Sequence, residues 1–281
     1  MYKKKNMIII FSVCLICMLF TGCPKHYAVL ISTNNVSLDN QSIHSEWWYD
    51  LFLQYKMLRE LGYSDKNIYV LYGLGTDFNT SHNEYNSNVQ YGHSITDFAC
   101  NKNQIQNIFS SLSSKITSED YLYVWWMGHG GGSGPGSCNL SMSIHHTGES
   151  VSDAEFTNYL NSITNYKKRW INVMTCHSGG LIDNLNSSGT RTVSNTSCTC
   201  TQLSYDKASS CDVVHAEFNY DEPTAYREKT PCNSAVNVDG NSDGVIHVSE
   251  AFNYINSTMT RSTPQIGDPD NIAAASKISA K

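Results

Sequence analysis

A histidine and a cysteine, each directly following an apolar strand-forming run, are the residues of this sequence best suited to covalent chemistry. His129 lies in Gly128-His129-Gly130-Gly131-Gly132, straight after Tyr121–Met127. Cys176 lies in Thr175-Cys176-His177-Ser178-Gly179-Gly180, straight after Trp170–Met174. A thiol beside an imidazole is the minimum equipment for acyl transfer: the sulfur attacks a carbonyl carbon and the imidazole returns the proton to the departing amine. Gly130 leaves the backbone beside the histidine unobstructed, so its N–H and that of Cys176 are expected to hold the developing oxyanion. Gly179 and Gly180 are expected to keep the wall beside the thiol low enough for a peptide.

Strands and helices must alternate to bring these two loops together. Tyr27–Ser32, Ile68–Tyr72, Tyr121–Met127 and Trp170–Met174 read as strands, being short runs rich in β-branched and aromatic residues. Between them, Leu51, Tyr55 and Leu58 recur at helical spacing within a helix from about Glu46 to Leu61, which Gly62 ends. Ile105, Ile108, Phe109, Leu112 and Ile116 line a second helix. Ser152-Asp153-Ala154-Glu155 is a capping box opening a third, with Phe156, Tyr159, Leu160 and Ile163 inward. This alternation predicts an α/β fold, a mostly parallel sheet covered on both faces. Reactive residues of such sheets sit at the carboxyl ends of strands, which is where His129 and Cys176 fall. Beyond residue 180 the pattern weakens: short strands are expected near Thr192–Thr196 and Val213–Ala216, and a helix over Val248–Met259. Thr263–Ile266 is expected to run extended along the sheet edge, and Ala273–Lys281 to fray.

The 281 residues are 40% hydrophobic and 16% charged, which suits one sizeable domain. Residues 1–22 read as a leader: Lys3, Lys4 and Lys5 precede an apolar run from Met7 to Phe20, too short to span a membrane comfortably. The run ends Leu19-Phe20-Thr21-Gly22-Cys23, which resembles a bacterial lipobox and makes Cys23 the expected lipidation site. The organisation expected is therefore a leader at 1–22, a catalytic domain at 23–260, and an extended segment with a tail at 261–281. Export to a bacterial membrane surface follows, with the lipid anchor as the sole membrane contact. Losing three lysines and no acid leaves 16 basic against 25 acidic residues, a formal charge of −9. An acidic protein without a basic stripe is a poor partner for nucleic acid. Of ten cysteines, seven lie beyond Cys23. With Cys176 as the free thiol, the other six suffice for three disulfides, among 15 possible pairings.

From Tyr27 to about Leu181 the sequence resembles the legumain family and its bacterial relatives in the caspase-like clan of cysteine peptidases. The resemblance rests on Tyr27–Asn35, on Asp50–Leu58 and Gly62–Leu71, on Ser118–Gly130 with its terminal His-Gly, and on Ile171–Gly179 with Cys176 followed by Ser178-Gly179. It implies a caspase-like three-layer sandwich with a six-stranded, mostly parallel sheet, His129 as general acid/base and Cys176 as nucleophile of an endopeptidase. The family usually carries acidic residues around the nucleophile, where this chain has Met174 and His177. Its asparagine pocket uses an arginine before the first helix, where this chain has Glu46, followed by Trp47 and Trp48. Glu46, with Glu217, is therefore expected to favour a basic residue before the cut.

A separate signal lies at 239–250. Asp239, Asn241 and Asp243 offer side-chain oxygens at positions 1, 3 and 5 of a twelve-residue calcium loop. Gly244 makes the sharp turn, Val245 offers its carbonyl, His247 takes the water-bridged position and Glu250 closes the loop. Pro231 and Cys232 argue against an incoming helix, so half an EF-hand with a structural Ca2+ is expected, and no organic cofactor. His145-His146 match no zinc spacing with Cys198 or Cys200. His129-Gly130-Gly131-Gly132 also resembles a lipase oxyanion loop, but no G-x-S-x-G elbow accompanies it. The remaining rival is a calcium-binding surface lipoprotein that keeps a peptidase scaffold for binding without catalysis.

Overall fold

The computed structural model describes residues 23–33, 46–132, 138–188 and 190–281. The expected leader at 1–22 and Asn34-Asn35 of the first motif lie outside them. In chain order the described elements begin with β1 (His26–Ser32), α1 (Glu46–Glu60), β2 (Ile68–Tyr72), α2 (Ser87–Tyr91), α3 (Lys102–Ser113) and β3 (Tyr121–Met127). Then come β4 (Gly130–Gly132), β5 (Leu140–Ile144), β6 (Glu149–Ser152), α4 (Asp153–Asn161), β7 (Lys168–Met174) and α5 (Ile182–Ser188). The chain closes with β8 (Thr192–Thr196), α6 (Glu217–Arg227), α7 (Val248–Thr258) and β9 (Gln265–Gly267). Among the described residues no helix is long and apolar enough to cross a membrane.

The main sheet runs β2-β1-β3-β7-β8-β9, parallel except for β9. Its strands are buried on both faces, and the two-residue period sorts them cleanly. Tyr123, Trp125 and Met127 face a core shared with Trp48, Phe52, Phe218 and Ile255 of α1, α6 and α7. Leu122, Val124 and Trp126 face a second core shared with Phe109, Phe156 and Leu185 of α3, α4 and α5. The result is the three-layer α/β sandwich expected from the alternating pattern.

Local signals explain where the helices stop and start. Gly62, at φ +97, turns the chain after α1, and the Tyr63 N–H closes on the Leu58 carbonyl at 3.0 Å. The Asn101 side chain caps α3 by accepting from Gln104 N at 2.9 Å. At α4 the expected box is complete: Ser152 Oγ accepts from Glu155 N at 3.1 Å, and Glu155 accepts from Ser152 N at 3.1 Å.

Four expectations change. Val213–Ala216 forms no strand; it leads into α6, and only an isolated bridge joins Ala216 to Asp206. The small sheet β4-β5-β6 and helix α6 were not anticipated. Ala273–Lys281 is not frayed: Ile278 is 1% exposed and Ala280 N bonds the Leu61 carbonyl at 2.9 Å. Two disulfides form, not three: Cys138–Cys200 and Cys211–Cys232. Cys100 and Cys198 remain buried thiols; Cys100 packs as a small apolar side chain in the second core, whereas Cys198 Sγ lies 3.4 Å from the Thr175 carbonyl and 3.3 Å from that of Gln202. Cysteine parity therefore does not single out Cys176; its position must.

Candidate active site

Sheet register places the two motifs. Met127, the last residue of β3, pairs with Met174, the last of β7, so the residues that follow leave the sheet level with one another. Gly128 N still bonds the Met174 carbonyl at 3.2 Å. One residue further on stands His129; two residues beyond Met174 stands Cys176. Both line one cavity of ≈ 220 Å³ at the carboxyl ends of these strands.

The glycines hold the two loops against each other. A Cβ on Gly130 would collide with the Cys176 carbonyl and lie 2.7 Å from Thr175 Oγ1, so only glycine permits this approach. A Cβ on Gly132 would meet the His177 ring at 3.2 Å. His177 itself adopts φ 62, turning the chain sharply past Cys176 into a 3-10 turn over Ser178–Leu181. Its N–H bonds the Gln202 carbonyl at 2.8 Å, and its Nδ1 lies 2.9 Å from the Cys200 carbonyl. Gly179 and Gly180 do not shape the wall beside the thiol. A Cβ on Gly179 would stand 2.7 Å from Cys200 N, and one on Gly180 would collide with the Cys138 carbonyl. They admit the segments joined by the Cys138–Cys200 disulfide.

Cys176 is half-buried, and its thiol lies 4.0 Å from the Ser204 carbonyl, to which it can donate. Burial pushes this thiol above the ordinary cysteine range. The resting sulfur therefore carries its proton, and a base must remove it. His129 is exposed; its ring meets Trp47 edge-on at 4.9 Å and lies 5.6 Å from the His145 ring. Trp47, on the first turn of α1 and 6% exposed, is thus the rigid apolar surface under the imidazole.

The rest of the wall comes from Glu46, expected in the pocket, and from residues sequence reasoning left unread. Ser204 and Asp206 line the cavity with Ala216 and Glu46. Residues 205–207 are tied to 215–217: Lys207 N bonds the His215 carbonyl at 2.8 Å and Glu217 N bonds the Tyr205 carbonyl at 2.9 Å. Behind Ala216 lies a buried polar cluster. Asp50 accepts from Ala216 N at 3.1 Å, from Asn219 Nδ2 at 3.1 Å and from His215 Nδ1 at 2.6 Å. Asn219 in turn accepts from Trp125 Nε1 at 3.0 Å. Glu217 is not in the pocket. Its carboxylate is 1% exposed and accepts from Thr260 N (2.7 Å), Thr260 Oγ1 (3.0 Å) and Arg261 N (3.1 Å), anchoring the chain after α7.

The loop at 239–250 lies apart, after α6 and running into the first turn of α7. Gly244 takes φ +80 as the turn requires. Asp239 accepts from Gly244 N (2.8 Å) and Asp243 N (3.2 Å), and Asp243 from Val245 N (2.9 Å). Glu250 accepts from Gly240 N (3.0 Å), Asn241 N (3.2 Å) and His247 N (3.0 Å). His247 Nε2 lies 3.0 Å from Asp243 Oδ2, so this histidine meets a neighbouring acid directly. The acids are spread over these amides: among the described residues, no three His, Cys or acidic ligands of this loop lie within 4.8 Å of one another.

No family model matches the chain, and no curated protein matches it. Among solved structures, it is similar to the crystal structure of caspase-1 from Spodoptera frugiperda, at TM-score 0.55 and 9% identity over 87% of this chain and 86% of that one. The fold is caspase-like.

Proposed function

We propose that this protein is an exported cysteine endopeptidase. The carrying observation is the level pairing of Met127 with Met174, which sets His129 and Cys176 on one cavity of a caspase-like fold. His129 takes the Cys176 proton as the sulfur attacks the peptide carbonyl. The new C–S bond creates an oxyanion, for which the N–H groups of Gly130 and Cys176 are the proposed donors. Collapse breaks the C–N bond as His129 hands its proton to the amine. Water, deprotonated by the same imidazole, then releases the acid and restores the thiol.

Because burial keeps the resting thiol protonated, substrate binding and the imidazole must activate it together. The same observation favours a second reading, a scaffold that binds peptides without cleaving them. Digestion of a peptide library by wild type and Cys176→Ala separates the two. Cleavage by wild type, falling at least ~1,000-fold in the variant, is the result expected when a nucleophile is removed. Equal product from both proteins, or none from either, would dismiss the peptidase.

Two further parts of the reading concern placement and metal. Cys23, exposed at the start of the described chain, is the proposed lipid attachment point at a membrane surface. The loop of Asp239, Asn241, Asp243, Val245, His247 and Glu250 is the proposed seat of a structural Ca2+. Its support is the twelve-residue pattern with Gly244 at positive φ and Glu250 opening α7.

A further inference from the structure

Resting on the peptidase reading, we infer that the cavity beside Cys176 selects a cationic side chain, lysine or arginine, on the residue whose carbonyl is attacked, and that Asp206 is a specificity-determining residue with Glu46. The two acidic residues reach one cavity from distant parts of the chain, Glu46 from the first turn of α1 and Asp206 from the loop before α6. Glu46 is 5% exposed there, whereas Asp206 stands at the open side. Trp47, Met127 and Met174 give the same cavity apolar lining. Apolar lining together with carboxylates suits a long side chain with an aliphatic stem and a charged end.

Two cations near Asp206 already have partners. The Arg261 guanidinium stacks on the Tyr205 ring at 4.5 Å and donates to the Asp206 backbone carbonyl at 3.1 Å. Lys207 pairs with the buried Asp221. Among the described residues lining the cavity there is no lysine or arginine. An incoming cation would meet two acids in this cavity, Glu46 largely withdrawn from water and Asp206 exposed at its open side, and the desolvated one strengthens a charge-assisted hydrogen bond most. A substrate carboxylate there would be repelled, which sets the cavity against acidic residues at this position.

The test is a fluorogenic peptide panel differing only in the residue before the cut: Arg, Lys, Leu, Asn and Asp. Wild type is expected to prefer Arg and Lys over Leu, and to reject Asp. In Asp206→Asn the Arg-to-Leu ratio of kcat/KM should fall roughly 10- to 100-fold, as for loss of a hydrogen bond to a charged group. Glu46→Gln should shift the same ratio in the same direction, which guards against an Asp206 variant that is merely misfolded. Cleavage best after Leu, Asn or Asp would overturn the pocket assignment and leave the peptidase standing. So would a fall in all substrates alike in both variants. No cleavage of any peptide, by wild type as by Cys176→Ala, would instead overturn the peptidase reading itself.

Discussion

His215→Gln probes the cluster that holds the cavity wall, and its effect should depend on pH with a definite sign. His215 is fully buried, with Nδ1 2.6 Å from Asp50, Nε2 2.9 Å from the Tyr85 hydroxyl and 3.5 Å from Asp212. Burial alone would lower its pKa, but the hydrogen bonds and fields of Asp212 and Asp50 outweigh it and hold the imidazole at about 9. Burial acts the other way on Asp50, raising its carboxyl. Three donors converge on that carboxyl, however, from His215, Ala216 and Asn219. Such a donor set fits the ionised form, so the proton belongs on the imidazole. A histidine raised from 6.5 to about 9 stabilises the fold fully below pH 6.5, and the contribution fades as pH climbs through 9. At roughly 1.4 kcal/mol per tenfold change in proton affinity, that pH-dependent part is ~3 kcal/mol. Denaturant titrations of both proteins from pH 6 to pH 10 measure it. The gap between wild type and His215→Gln should be largest at pH 6 and shrink by ~3 kcal/mol at pH 10. Since Asp50 holds Ala216 N and the His215 carbonyl holds Lys207 N, KM should rise over the same interval in wild type. A gap that stays flat or widens with pH would refute the assignment of a buried imidazolium.

A second buried acid should behave in the opposite sense on substitution. Burial lifts the Glu222 carboxyl from 4.5 to about 7. A protonated Glu222 completes a ring in which its O–H reaches the Tyr123 oxygen (2.8 Å), Tyr123 donates to Gln54 Oε1 (2.9 Å) and Gln54 Nε2 donates back to Glu222 (2.9 Å). An acid raised on folding gives stability that is lost as pH rises through its folded value. Glu222→Gln keeps the ring without the charge, so it should match wild type below pH 4.5 and exceed it by up to ~3 kcal/mol above pH 7; a melting series at fixed ionic strength checks this, and equal curves at pH 8 would reject it. For the calcium loop, Ca2+ at ~100 times its Kd should add ~2.7 kcal/mol, or a rise in Tm of several degrees. Glu250→Gln should lose that response, and identical Tm with Ca2+ and with chelator in wild type would end the metal assignment.

The parts of the fold legible in the sequence are those whose signal is local. β1, β2, β3 and β7 are buried on both faces, so the first three appear as apolar runs and β7 as one broken by Asn172, and β3 and β7 end two residues before His129 and Cys176. The box at Ser152 and the glycine after α1 likewise act within a few residues. Leu140-Ser141-Met142-Ser143-Ile144 also carried a local signal, strict alternation, with the three apolar residues buried in β5 and the serines partly exposed. Helix α6 was hidden for a physical reason. Its sequence holds Asp221, Glu222 and Pro223 and looks like a polar loop, yet all three are buried. Asp221 pairs with Lys207, and Glu222 is hydrogen-bonded to Gln54 and Tyr123, partners that only the folded chain brings near. Glu217 was misread for the same reason: its partners at 260–261 lie 43 and 44 residues away.

On the proposed peptidase function, this division separates the chemistry from the choice of substrate. The thiol and the imidazole are placed by ladder hydrogen bonds between two central strands, so their juxtaposition is as stable as the sheet. The rest of the wall is assembled from Ser204, Asp206, Ala216 and the first turn of α1, with little regular structure among the loop residues. It is held instead by point contacts: the Asp50–His215 pair, the Glu217 anchor, and the bonds from Lys207 and Glu217 to residues 215 and 205. Each such contact is a single group whose loss leaves a buried partner without its charge or donor. Substitutions in the sheet should therefore lower stability and activity together, whereas substitutions in the wall can alter which peptide is accepted while Cys176 and His129 keep their places.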